Sequence, residues 1–350
     1  MKYDELEYSN PVFEADDFFI TRKVNKEKST ITIIKYDKNN CEKLGEKTIS
    51  YIGFFCVNKK GIFIEVNTDY KYLFMRYDTM QIENHIQISN NEYINLVYCT
   101  TDYELFYCNE AYFVYSQDRR LKTINYGISD GLIKLDSGFI IYNNRMIDDL
   151  SQYEYYEFVT GDKKWSFEHE GQYQSHVVKE NIIIMQFRKG EVARIEKTMI
   201  AIDINSGMQL WTKKGWLRFS LLGSHKELLC IIGGCDLVYF DPKTGERIRE
   251  IGGGLFRDMM IVEIIENKIF YIKERKYLGC FDAETNLFDW EYGFLAEGIY
   301  VASLSHVIIL QNGQMVLVGK VPDRLIKFDP YHPDNIPHRR IHNGQLMVEE

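Results

Sequence analysis

Residues 201–211 read AIDINSGMQLW, and this stretch decides the fold. A β-branched run ends in Asp203, Asn205–Gly207 is turn chemistry, and Met208–Trp211 opens a second run. The reading is a hairpin. Asp203 is expected to accept backbone N–H bonds across the turn, and Gly207 to supply the positive φ that such turns need. Trp211, eight residues beyond the aspartate, is placed to lie across the gap to a neighbouring unit.

The same ending recurs along the chain. ITIIKYD closes at Asp37, YLFMRYD at Asp78, AYFVYSQD at Asp118, MIAID at Asp203, DLVYFD at Asp241, YLGCFD at Asp282 and RLIKFD at Asp329, while YYEFVTGD has Glu157 in that place. The units are spaced by 38 to 47 residues. No long segment shows a helical period; short β-branched and aromatic runs alternate with turns. A period near forty with several strands per repeat is the mark of a propeller blade. Around Asp203 the four strands read YQSHVVKE, NIIIMQFR, TMIAID and MQLWTK, from innermost to outermost.

The expectation is therefore all-β: a single β-propeller over residues 1–350, with eight blades of four antiparallel strands, or seven if the terminal strands merge into one blade. The ring must also close. Either the tail 331–350 supplies the last outer strand through Gln345–Val348, or the first residues do.

Composition narrows the function. The formal charge is −9, from 51 acidic and 42 basic residues, which argues against nucleic acid or an anionic membrane as the main partner. The start lacks a signal-peptide apolar core, and no window reaches the length of a membrane span. The 7 cysteines include no CxxC pair, so a reduced, cytoplasmic protein, monomeric on its own, is expected.

The turn motif varies by unit. Glu157, Gly161 and Trp165 repeat it; Asp282, Asn286 and Trp290 repeat it with Asn for Gly; in Asp241, Gly245 and Arg249 a flat guanidinium replaces the indole. The first three units keep the strands and lose the motif, so residues 1–150 are expected to be held less firmly than residues 151–330. AIDINSGMQLW, YFDPKTGERIR and CFDAETNLFDW resemble the tryptophan-docking repeats of the pyrroloquinoline-quinone-like propellers, the superfamily of the quinoprotein alcohol dehydrogenases and BamB. The resemblance covers the second half of the chain well and the first half by strand rhythm. It implies fold more than function, because the motif staples blade to blade.

In that superfamily the quinone enzymes hold their cofactor on a Trp platform beneath a disulfide of adjacent cysteines, with Ca²⁺. This chain has no adjacent cysteines, and three of its 4 Trp belong to the docking motif. No cofactor is expected. His332, His338 and His342 cluster near the end, but Pro330, Pro333 and Pro337 argue against a helix that would aim them together, so no metal is expected either. Gly233–Gly234 and Gly252–Gly254 lack the strand–loop–helix setting of a phosphate cradle, and no GxSxG nucleophile is present. The chain reads as no enzyme.

The best lead is the face around the channel mouth. Three successive blades begin with Trp216 and Arg218, with Phe256 and Arg257, and with Phe294. The same face receives Arg188 and Arg194 of a long charged link, and Arg275 of a turn. Aromatic and Arg side chains in this setting suit a protein partner. The expected function is a non-catalytic protein-binding propeller, and its narrower version is an immunity protein that neutralises a basic toxin domain. The alternatives are a cytosolic sensor of a small ligand in the channel, and an enzyme of unrecognised type.

Overall fold

The computed structural model describes all residues except 1, 2, 7–9, 26, 51–54, 58, 59, 66–71, 84–94, 101, 109, 117, 118, 127–130, 146–149, 191–195, 216–218, 226, 227, 234, 235, 252–258, 294–303, 312, 321, 322, 333–338, 343, 344, 349 and 350. The described residues form eight four-stranded antiparallel sheets and one two-stranded hairpin, the arrangement of a β-propeller. Seven sheets are continuous in sequence, over residues 10–50, 55–83, 95–125, 131–170, 172–215, 219–251 and 259–293, each running from inner to outer strand. The last comprises residues 304–328 and takes its outer strand from the start of the chain.

That strand is Tyr3–Leu6, antiparallel to Asp323–Phe328, with Tyr3 opposite Phe328. Gln345–Val348, the other closing strand considered, pairs instead with Arg339–His342. The ring brings the chain's beginning to the open edge of its last sheet.

The core is a circuit of layers between sheets. Ile20 and Ile33 of the first sheet meet Ile62 and Ile64 of the second, and a Lys60–Asp102 ion pair at 3.6 Å links the second to the third. Val114 packs with Phe139 and Phe158, and Tyr153 with Ile183 and Phe187. Trp211 then packs with Phe240, Tyr239 with Ile269 and Tyr271, and Trp290 with Leu317 and Phe328. Ile308 and Val316 of the last sheet return to Phe19 and Tyr36 of the first. Second strands lie between two neighbours, so Ile182–Phe187 is buried on both faces, whereas the outer strand Lys163–Glu170 is exposed at alternate positions.

The hairpin turns form as the residues imply. Asp203 Oδ1 accepts from the Ser206 N–H at 2.8 Å and from its hydroxyl at 2.7 Å, and the Gly207 N–H returns to the Asp203 carbonyl at 2.8 Å. Gly207, Gly161 and Gly245 have φ of 72°, 68° and 69°, and Asn286 has 60°. These glycines also have a steric role that the sequence does not reveal. A Cβ on Gly207 would lie 2.3 Å from Trp165 Cγ, and one on Gly245 would lie 2.6 Å from Trp211 Cδ2. Each glycine is the seat for the preceding blade's indole.

The seated indoles donate onward. Trp165 Nε1 bonds the Ile204 carbonyl at 2.7 Å, and Trp211 Nε1 the Pro242 carbonyl at 2.9 Å. Arg249 lies over the Tyr239 ring at 4.2 Å and donates to the Ala283 carbonyl. At the next joint Trp290 packs edge-on to Phe328, and the Tyr292 hydroxyl takes over the bond to the Pro330 carbonyl. A β-bulge sits just before the docking residue: Ala201 faces Trp211 while Ile202 faces Gln209, so Leu210 is extra. It turns the docking side chain toward the next sheet.

The expectation that the first three units lack the motif is corrected in two of them. In the first, Asp37 Oδ1 accepts from the Asn39 and Asn40 N–H groups, the Cys41 N–H returns to the Asp37 carbonyl at 3.0 Å, and Cys41 takes φ of 62°. A small residue whose thiol is buried between the last and first sheets stands where glycine was sought. In the third, Lys122 occupies the docking position: a Cβ on Gly161 would lie 2.4 Å from Lys122 Cβ, and its ammonium reaches Asp162 at 2.7 Å. An aliphatic stem with a charged tip does the work of an indole.

Candidate interaction surfaces

Up-and-down connectivity sorts the loops onto two faces. Turns joining first to second and third to fourth strands share one, here the turn face; the remaining links share the other, the mouth face. Among the described residues, six of the eight third strands end at a carboxylate or one residue before it, so the turn face is rich in acids. Asp37, Asp78, Glu157, Asp203, Asp241, Asp282 and Asp329 recur there, and exposed Asp16, Asp136, Glu180 and Glu266 join them from the other turns.

Asp78, Asp203 and Asp282 are held charged, as is Asp162 beside them. The Ser206 hydroxyl and N–H bonds lower the Asp203 pKa, Lys122 lowers that of Asp162, and Arg76 that of Asp78. Burial opposes the charge on Asp282, yet hydrogen bonds from Lys268 and from the Thr285 and Glu284 N–H groups bring it down to about 2. Lys268 Nζ lies 2.9 Å from Asp282 Oδ2 and 3.0 Å from Asp289 Oδ2. Lysines on this face are drawn into such pairs, as in Lys243–Glu180 at 3.7 Å.

Of the residues expected on the mouth face, Arg188 and Arg275 are described; Trp216, Arg218, Arg194, Phe256, Arg257 and Phe294 lie outside the described residues. Arg275 is exposed at the tip of the turn Lys273–Lys276, closed by the Lys276 N–H to the Lys273 carbonyl at 3.0 Å. Both central residues, Glu274 and Arg275, have positive φ, at 51° and 58°. That is a conformation hairpins usually give to Asn-Gly. Arg188 is the penultimate residue of the second strand of the fifth sheet, directly opposite Lys197. Arg188 and Arg275 share a face but stand two sheets apart, with residues 219–251 between them.

The remaining candidates are placed as follows. His332 follows the last sheet, with its N–H on the Asp329 carbonyl at 3.3 Å; His342 ends a strand of the terminal hairpin, and His338 lies outside the described residues. Among the described residues no group of three or more His, Cys, Asp or Glu is arranged to hold a metal. Cys41 and Cys280 are free and buried, and burial pushes the Cys41 thiol up to about 11. Among the described residues no helix is long and apolar enough to cross a membrane.

No protein-family model matches the chain, and no curated protein matches it. Solved structures do. BamB from Moraxella catarrhalis is 10% identical, with a TM-score of 0.54 over 95% of this chain and 98% of that one. The computationally designed protein Ika8 is 12% identical, with a TM-score of 0.60 over 93% and 98% of the two chains. At these identities the likeness is one of fold. The chain shares the propeller fold of BamB, the fold that the docking repeats implied.

Proposed function

We propose that this chain is a non-catalytic, protein-binding scaffold whose turn face receives a basic partner. The observation that carries the reading is the recurrence of a carboxylate at or just after the end of third strand after third strand, reinforced by exposed acids in the first turns. A ring of like charge attracts an oppositely charged protein over a broad surface and speeds encounter. Within this reading the eight sheets are the eight blades of one ring, and the neutralisation of a basic toxin domain is its narrower form. The partner then sits on the face opposite Arg275.

Photo-crosslinking tests it. A benzoylphenylalanine at Asp136 or Glu266 is expected to capture a basic protein in cells, with adducts that fade as salt rises; the same probe at Glu274 is expected to capture none. Adducts from Glu274 alone would move the interface to the mouth face and refute the proposal.

A further inference from the structure

His169 is the penultimate residue of the outer strand of the fourth sheet, Lys163–Glu170. It stands directly opposite Ser151, two residues before Tyr153 on the flank that packs against Ile183 and Phe187 of the fifth sheet. Its ring centre lies 4.3 Å from that of Phe187, and its Nε2 is buried with no hydrogen-bond partner among the described residues. A neutral imidazole keeps one nitrogen bare, so this setting suits it. An imidazolium carries a hydrogen on both nitrogens and leaves one N–H unsatisfied inside the seam.

The fifth sheet meets this ring with charges of both signs. Phe187, Thr198 and Lys214 are successive cross-strand partners, so Lys214 shares the flank on which His169 stacks. Two positions beyond Phe187, Lys189 stands opposite Glu196 and pairs with Glu170 at 2.5 Å. Tyr173, opposite Phe187 on the inner strand, shares a hydrogen bond with His176 Nδ1 at 2.7 Å. The two acids are matched by the two lysines, so a charge on His169 makes the group net positive. Burial first, then Lys214 and Lys189, hold the His169 pKa below its ordinary 6.5, against the pull of Glu170 and Glu196.

The other end of the seam is built differently. Trp165, four residues earlier on the strand and so about 13 Å away, rests on Gly207 and donates to the Ile204 carbonyl. Nothing in that contact titrates near neutral pH.

We propose that the mouth-face end of the seam between the fourth and fifth sheets is a pH-sensitive joint. Protonation of His169 parts it there, while Trp165 keeps the turn-face end docked, so the seam opens as a hinge. The opened seam binds the proton more tightly than the closed one, so opening is favoured as pH falls below about 6.5 and is not favoured above it. His176 faces the same seam, opposite Met185. Burial lowers its pKa too, so it supplies the residual response of a chain without His169.

The test is hydrogen exchange of the full chain at pH 7.5 and 5.5, read as protection factors, in wild type, His169→Gln and His169→Phe. The two replacements keep the polarity or the stacking without the charge, and either suffices if the other unfolds. Wild type is expected to lose roughly tenfold more protection than the variants in residues 167–170 and 185–189, the effect of about one pKa unit. In residues 200–209, beside Trp165, it is expected to lose no more than they do. Titration of the imidazoles by NMR is expected to place His169 below 6.5. A His169 titration at or above 6.5, an equal loss of protection in all proteins, or a loss spread evenly along the seam overturns the proposal.

Discussion

At the scale of single residues, the chain places unusual backbone where a neighbour requires it. Gly207 combines a φ of 72° with a seat so close to Trp165 that a methyl group cannot enter. Gly207→Ala is expected to cost roughly 3 kcal/mol, from left-handed strain together with overpacking. Gly313 has a φ of 80° with open space around it, so Gly313→Ala is expected to cost only about 1 kcal/mol. Urea unfolding of the two variants separates the steric from the conformational share. Glu274 and Arg275 pose the converse case, two ordinary residues in a turn built for Asn-Gly. The double change Glu274→Asn and Arg275→Gly is expected to stabilise the fold by about 1 kcal/mol. A loss in the same urea assay would show that the charged tip makes contacts that compensate its backbone.

At the scale of the blade, the docking motif could be read wherever tryptophan marked it. Asp203, Gly207 and Trp211 announced their turn because each residue type has a physical reason to be there. Lys122 and Cys41 did not, since their roles depend on the neighbour they meet. The seat on Gly161 takes an aliphatic stem where those on Gly207 and Gly245 take an indole, and nothing local distinguishes that lysine from a surface lysine. Trp211→Phe keeps most of the packing and loses the bond to Pro242, so about 1 kcal/mol is expected to be lost. Trp211→Ala loses both and is expected to cost roughly 3–5 kcal/mol. A similar loss for the two would mean that the bond outweighs the packing. The Lys268–Asp282 pair adds a pH signature. Asp282 titrates near 2 in the folded chain, below its ordinary 3.8, so its contribution is full above about pH 4 and lost as pH falls through 2. About 1 kcal/mol is expected after solvent screening, and Lys268→Met is expected to flatten that part of the stability–pH curve.

At the scale of the whole molecule, strand rhythm made the propeller legible, because a forty-residue repeat of four short strands has few other solutions. Closure was not legible. Tyr3–Leu6 and Gln345–Val348 are equally short, and only the assembled ring puts one of them beside Asp323–Phe328. Nor could the candidate surface be settled from residue types, since the acids of the turn face look like solvated turns until the third strands align. The structure also redistributes the expected weakness of residues 1–150. The first sheet has its own capped turn and packs against the last, and the third is held to the fourth by Lys122. Among the described residues of the second sheet, no side chain seats on a neighbour's turn as Trp165, Trp211 and Lys122 do. Fewer staples between sheets mean cheaper local opening. Hydrogen exchange is expected to find the lowest protection in residues 61–83, intermediate values in residues 18–50, and the highest in residues 182–215, where Trp211 docks and Trp165 is seated. Uniform protection around the ring would mean that the circuit of sheet-to-sheet layers opens as one unit and that the staples add nothing local.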